Sequence, residues 1–121
     1  MIIKRFEDID AWRKARELTK AVYDISKTGE FSKDFGLKNQ IQKASVSSMS
    51  NIAEGFDRQS NKEFVQFLVI ARASVSELKS QLYVALDQGY INQAQFRSIY
   101  DLANDVVSLI NGFMRYLKKH K

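Results

Sequence analysis

Apolar residues recur every three or four positions along most of this chain, and the alternation of a half-buried strand is absent. The pattern is clearest between positions 61 and 88. There Phe64, Phe67, Leu68, Ala71, Val75, Leu78, Leu82, Ala85 and Leu86 fall within an arc of roughly 100° at 3.6 residues per turn. Phe96, Ile99, Ala103, Val107, Ile110, Met114 and Leu117 repeat it further on, and Trp12, Ala15, Thr19, Val22 and Ser26 mark a looser stripe. Four helices follow, over about 8–26, 36–57, 61–88 and 93–118. The segment KTGEFSKDFG ends the first. Ser60 with Glu63, and Asn92 with Gln95, have the spacing of reciprocal helix-start caps. Gly89 is placed to end the third helix. Four helices of this length joined by short links predict an all-α, antiparallel up-down-up-down four-helix bundle, a single domain over 1–121.

The second helix carries an anomaly. KASVSSMSNIAEGFDRQS is crowded with small and polar residues. On a wheel, Leu37, Ile41, Ala44, Ser48, Ile52 and Gly55 form one stripe that narrows in its middle. Low bulk lets a neighbouring helix come close, and a serine hydroxyl can return to a carbonyl one turn back. The serines therefore read as packing rather than as nucleophiles. Other helices are too apolar for one core: Val65, Val69, Ile70 and Ala73 lie off the stripe of the third, and Leu102, Leu109, Phe113 and Tyr116 flank that of the fourth. Left exposed, such a patch marks an interface, and a homo-oligomer is expected.

Composition narrows the classes. The chain has 121 residues, 45% hydrophobic, with 5 glycines and neither proline nor cysteine. That suits one helical domain and excludes a disulfide framework or a thiolate metal site. The acids in MIIKRFEDIDAW are wrong for a signal peptide, and no run approaches a membrane span, so a cytoplasmic protein is expected. No His, Cys, Asp or Glu spacing suggests a metal, no glycine-rich loop suggests a cofactor, and the lone histidine, His120, has no orienting partner in the pattern. No enzyme and no cofactor are expected. Glu54 and Glu77, with Asn51, Arg58 and Gln81, read as a polar network between the second and third helices rather than as acid–base machinery.

The net charge is +5, and the last eleven residues supply Arg115, Lys118, Lys119 and Lys121 with no acid. These can meet phosphate, although cations also suit the end of a helix, where they oppose its dipole. Arg13, Lys14, Arg16 and Lys20 stripe the first helix, with Tyr23 one turn on. Glu17 and Asp24 border that stripe and favour a solvated, ion-paired face.

FEDIDAWRKARELT, FGLKNQIQKASVSSMSNIAEGF and SNKEFVQFLVIARASVSELKSQLYVALDQGYI together carry a family resemblance. The succession of SNIAEG, S-x-KEF and E-L-x-x-QL resembles the four-helix-bundle proteins encoded in intervening sequences of bacterial 23S ribosomal RNA genes. Relatives of these are similar to the accessory variability proteins of diversity-generating retroelements. The resemblance covers about 6–91. It implies a ring-like homopentamer and, for some members, a nucleic-acid or reverse-transcriptase partner. Asn51, Glu54 and Gly55 belong to the shared motif. Ser48 and Met49 stand where the family usually has Ile-Pro, so the second helix is expected to lack a proline kink. Two functions follow as expectations: a homo-oligomeric accessory protein that binds RNA or DNA through phosphate, or a protein-interaction scaffold that binds no nucleic acid.

Overall fold

The computed structural model describes residues 3–120. Lys121, one of the candidate phosphate contacts, lies outside them. Helices α1 (Asp10–Ser26), α2 (Phe35–Phe56), α3 (Asn61–Asp87) and α4 (Gln93–Lys119) are the long elements, and no strand occurs among the described residues. Each helix packs on the next, and α4 returns to α1. Closing that ring of neighbours with short links gives the antiparallel up-down-up-down bundle.

The helix starts follow from single side chains. Asp34 Oδ1 accepts from the Leu37 N–H at 3.1 Å and opens α2. Asn92 and Gln95 form the full reciprocal cap of α4, at 2.8 and 2.9 Å. Only half of the expected cap opens α3: Ser60 Oγ accepts from the Glu63 N–H at 3.2 Å, while the exposed Glu63 side chain does not return. Gly89, at φ +74, ends α3, where its own N–H reaches the Leu86 carbonyl at 3.0 Å and the Tyr90 N–H reaches Ala85 at 2.9 Å. This is the paired C-terminal closure that a left-handed glycine permits.

Two elements differ from expectation. Phe6–Asp8 form a separate 3-10 turn before α1, with Phe6 edge-on to Trp12 at 5.1 Å, so the long helix starts two residues late. The segment after α1 is more than a break. Gly29, at φ +61, opens a second 3-10 turn (Gly29–Lys33) that buries Phe31 and lays it against Tyr90 at 5.4 Å.

The core follows the predicted stripes closely in α3 and α4, where Val106 replaces Val107 as the buried residue. In α1 the stripe is displaced. Ala11, Ala15, Leu18, Val22 and Ser26 are buried, and the half-buried Trp12 and Thr19 sit at the edge. Thr19 lies there because its hydroxyl serves α2: it donates to the Ala15 carbonyl at 2.8 Å and the Ser45 carbonyl at 3.0 Å. Gln42 donates to Ser26 Oγ at 2.9 Å, and Ser48 Oγ returns to the Ser45 carbonyl at 2.7 Å. Ser26, Ser45 and Ser48 are fully buried. The small residues thus form a hydrogen-bonded seam between α1 and α2, with every hydroxyl satisfied.

Asp34 also accepts, on Oδ2, the Tyr90 hydroxyl at 2.9 Å. One carboxylate therefore caps α2 and fastens the α3–α4 turn. Asp34→Ala is expected to lower stability by about 1 kcal/mol through the lost cap, read by thermal melting. The hydrogen bond to Asp34, then burial, raises the Tyr90 pKa. Because the folded-state value lies above the unfolded one, this contribution is complete below about pH 10 and is lost as pH climbs through the raised value. The stability gap between wild type and Tyr90→Phe should therefore shrink in alkali. A gap that stays constant would rule the latch out.

Candidate nucleic-acid interface

The cationic stripe of α1 is largely neutralised by its own helix and the turn before it. Arg13 donates Nε to the Glu7 carbonyl at 2.7 Å and lies 3.8–3.9 Å from Asp10 and Asp8. Lys14 meets Glu17 at 3.5 Å, and Lys20 meets Asp24 at 3.1 Å. The hydrogen bond from Lys20 is the main cause holding the Asp24 carboxyl below its ordinary pKa. Arg16 lies over the Trp12 ring at 5.9 Å. In mid-bundle, Arg72 and Lys79 bind α4 through Asn111 and Asn104, at 2.7 and 2.8 Å.

A different cluster forms at the end of the bundle where α2 stops, α3 starts and α4 stops. Asn61 Nδ2 donates to the carbonyls of Leu117 and His120 at 3.2 and 2.7 Å, drawing the start of α3 onto the end of α4. This brings Lys62 beside Lys118, and both line a groove of about 880 Å³ with Gln59, Ser60, Val65 and Leu117. Arg115, Lys118 and Lys119 are exposed and form no ion pair among the described residues. Asp57 and Glu63 are the acids of the α2–α3 turn region. Lys62, Gln59 and Asn61 were not legible as site residues. In sequence they are cap and turn residues, and only the return of α4 places lysines beside them.

The polar set of α2 and α3 does not converge. Ser47 Oγ meets Ser74 Oγ at 3.0 Å, and Gly55 faces Phe64 and Phe67, which fixes the antiparallel register. Glu54 thus lies beside Phe67, and Glu77 is ten residues further along α3, roughly 15 Å at 1.5 Å per residue. Glu54 pairs with Arg58 at 3.6 Å, and the Arg58 guanidinium covers Phe67 at 4.4 Å. Asn51 donates to the Ser47 carbonyl at 2.8 Å. Glu77 accepts a long 3.5 Å contact from Gln81, whose Oε1 is buried without a partner. The expected network is therefore two separate local pairs. Among the described residues no three His, Cys, Asp or Glu side chains converge as metal ligands.

The apolar patch divides as well. Leu102, Leu109, Phe113 and Tyr116 are half-buried, packed on the core beside α1, and Phe113 meets Phe64 edge-on at 5.3 Å. Leu109, Phe113 and Tyr116 share the wall of one small cavity with Ile3, Ile9 and Ala11, on a flank that the periodicity left exposed. Val65 is half-buried, while Val69, Ile70 and Ala73 remain exposed, Val69 at 43% and Ile70 at 49%. No helix among the described residues is long and apolar enough to cross a membrane.

A bundle of four antiparallel helices, with small residues at one helix contact and cations gathered at one end, defines the class. The chain belongs to the 23S rRNA-intervening sequence protein family, whose pattern it matches over residues 7–112. The fold is similar to a crystal structure from Bacteroides thetaiotaomicron, described as a protein of unknown function from the S23 ribosomal protein family. That likeness has a TM-score of 0.78 at 23% identity, over 86% of this chain and 97% of the other. No curated protein matches the chain.

Proposed function

We propose that this protein is a non-enzymatic, homo-oligomeric accessory protein that binds RNA through its phosphates. The observation that carries this reading is the set of basic residues at one end, Lys62, Arg115, Lys118 and Lys119, which form no ion pair among the described residues, set against an α1 stripe whose cations are mostly spent on neighbouring acids. Arg13, Lys14, Arg16 and Lys20 then play a secondary part. Phosphate contact of this kind fixes position without reading sequence. An assembly through the exposed Val69–Ile70–Ala73 face of α3 repeats the basic end on every protomer and strengthens weak contacts by avidity. Family membership supports the same reading, and a homopentamer is the assembly that the resemblance implies.

Binding to a structured RNA across a salt series, with particle mass measured in the same buffers, tests both halves. Log affinity is expected to fall linearly with log salt. Lys118→Glu with Lys119→Glu should weaken binding by roughly ten-fold or more, and more than alanine at Arg13, Arg16 and Lys20 together. Ile70→Glu should reduce the mass to that of a protomer while helicity persists. An intact oligomer that binds no RNA at low salt would leave the interaction scaffold as the function.

A further inference from the structure

The basic end holds a second cavity, and its chemistry differs from that of the groove. About 300 Å³ in volume, it mixes the aromatic rings of Phe56, Phe64, Phe113 and Tyr116 with the polar groups of Arg58 and His120. Tyr116 and His120 lie 4.4 Å apart with planes 34° from parallel, and Phe113 continues the stack at 6.1 Å and 10°. His120 is exposed, so the stack ends in a ring that faces solvent. Gln59, Ser60, Asn61 and Leu117 line both this pocket and the lysine groove, so the two are halves of one cleft divided by the α2–α3 turn. One half offers flat aromatic faces and the other offers Lys62 and Lys118.

We propose that this cleft takes a single-stranded nucleotide segment, with an unstacked base in the aromatic pocket and the flanking phosphates across the lysine groove. The inference rests on the RNA-binding reading and narrows it from a helical surface to an unpaired strand. Three features favour this occupant. The pocket is at the small end of ligand-site volumes, which suits one base rather than an extended peptide. Bases in single strands are held by aromatic faces, which duplexes do not offer because their bases stay stacked. The exposed Gln59 carries both a donor and an acceptor and makes no hydrogen bond among the described residues, so it is available to a base edge.

The test compares a short unpaired RNA with the same strand in a full duplex, by fluorescence anisotropy across a salt series. Single strand is expected to bind at least ten-fold more tightly. Tyr116→Ala and His120→Ala should each weaken single-strand binding by roughly ten-fold and leave the salt slope unchanged, because no phosphate contact is lost. Tyr116→Phe should restore the affinity, which separates stacking from damage to the fold. Lys62→Ala should instead lower the slope by about 0.7. Equal affinity for strand and duplex, with both aromatic substitutions silent, would overturn the base pocket while leaving phosphate binding in place. Absence of binding to either probe would overturn the RNA reading itself.

Discussion

Gly55→Val is expected to destabilise the bundle by about 3 kcal/mol, the upper part of the range for overpacking. A Cβ at position 55 would sit 2.7 Å from Phe64 Cδ1 and 2.9 Å from Phe67 Cβ. The second contact cannot be relieved by rotating a side chain, because Phe67 Cβ moves only with the backbone of α3. The first has little room, since Phe64 is 7% exposed and held edge-on by Phe56 and Phe113. The helices must separate, and the packing of both loosens. Gly55→Ala sets the same clash against the roughly 1 kcal/mol gained in helix propensity, so it should be less harmful but still destabilising. Gly36→Ala is the matched control. Its new Cβ meets only Asp34 Oδ1, at 3.7 Å, and the substitution should stabilise. Thermal melts decide the matter, with roughly 3–5 °C per kcal/mol in a domain of this size. Should Gly55→Ala melt as high as Gly36→Ala, the close approach of α2 and α3 is not a constraint.

The consequence reaches the cleft. Phe64 lines the pocket, and the turn that divides pocket from groove begins two residues after Gly55. Spreading α2 from α3 should therefore disturb the basic end as well as the core. Gly55→Ala protein that still folds is expected to bind single-stranded RNA less well than wild type.

How much of this could be read in advance depended on how local the physics was. The α3 and α4 stripes were legible because long apolar side chains repeat there without interruption, and periodicity alone assigns them. The α1 stripe was not, because Trp12 looks like a core residue and Leu18 does not stand out from ELTKAVY. What decides between them is the polar seam to α2, a tertiary feature. Leu109, Phe113 and Tyr116 read as a spare apolar face for a similar reason: their neighbours there are Ile3, Ile9 and Ala11, distant in sequence. The basic tail was visible as charge. The cleft was not, since it needs Lys62 and Gln59 from one turn and Tyr116 and His120 from the last turn of α4. Pairing also redistributed the candidates. Glu17 and Asp24, which border the α1 stripe in sequence, do pair with Lys14 and Lys20, while Lys118 makes no ion pair among the described residues.

Met49→Pro is expected to cost only about 1–2 kcal/mol, less than the ~3 kcal/mol usual inside a helix. Proline at 49 removes the N–H that donates to the Ser45 carbonyl and presses its ring against that oxygen. Part of the usual cost is the desolvated carbonyl left without a donor. Here the Ser45 carbonyl already lies 3.0 Å from Thr19 Oγ1 and 2.7 Å from Ser48 Oγ. The Thr19 proton is shared with the Ala15 carbonyl, which keeps the N–H of residue 19 within its own helix. The hydroxyl can therefore turn fully to Ser45 when the Met49 amide is gone. Ala53→Pro, one turn along the same helix, has no such donors and should cost the full amount. Thr19→Val should worsen Met49→Pro by about 1 kcal/mol beyond the sum of the single changes. The resemblance places a proline at this position, and the seam between α1 and α2 supplies a physical reason for the helix to tolerate one there. Chemical denaturation of the four variants checks the argument. Strict additivity between positions 19 and 49 would remove the hydroxyl of Thr19 from the account, and a Met49→Pro cost equal to that of Ala53→Pro would remove the seam altogether.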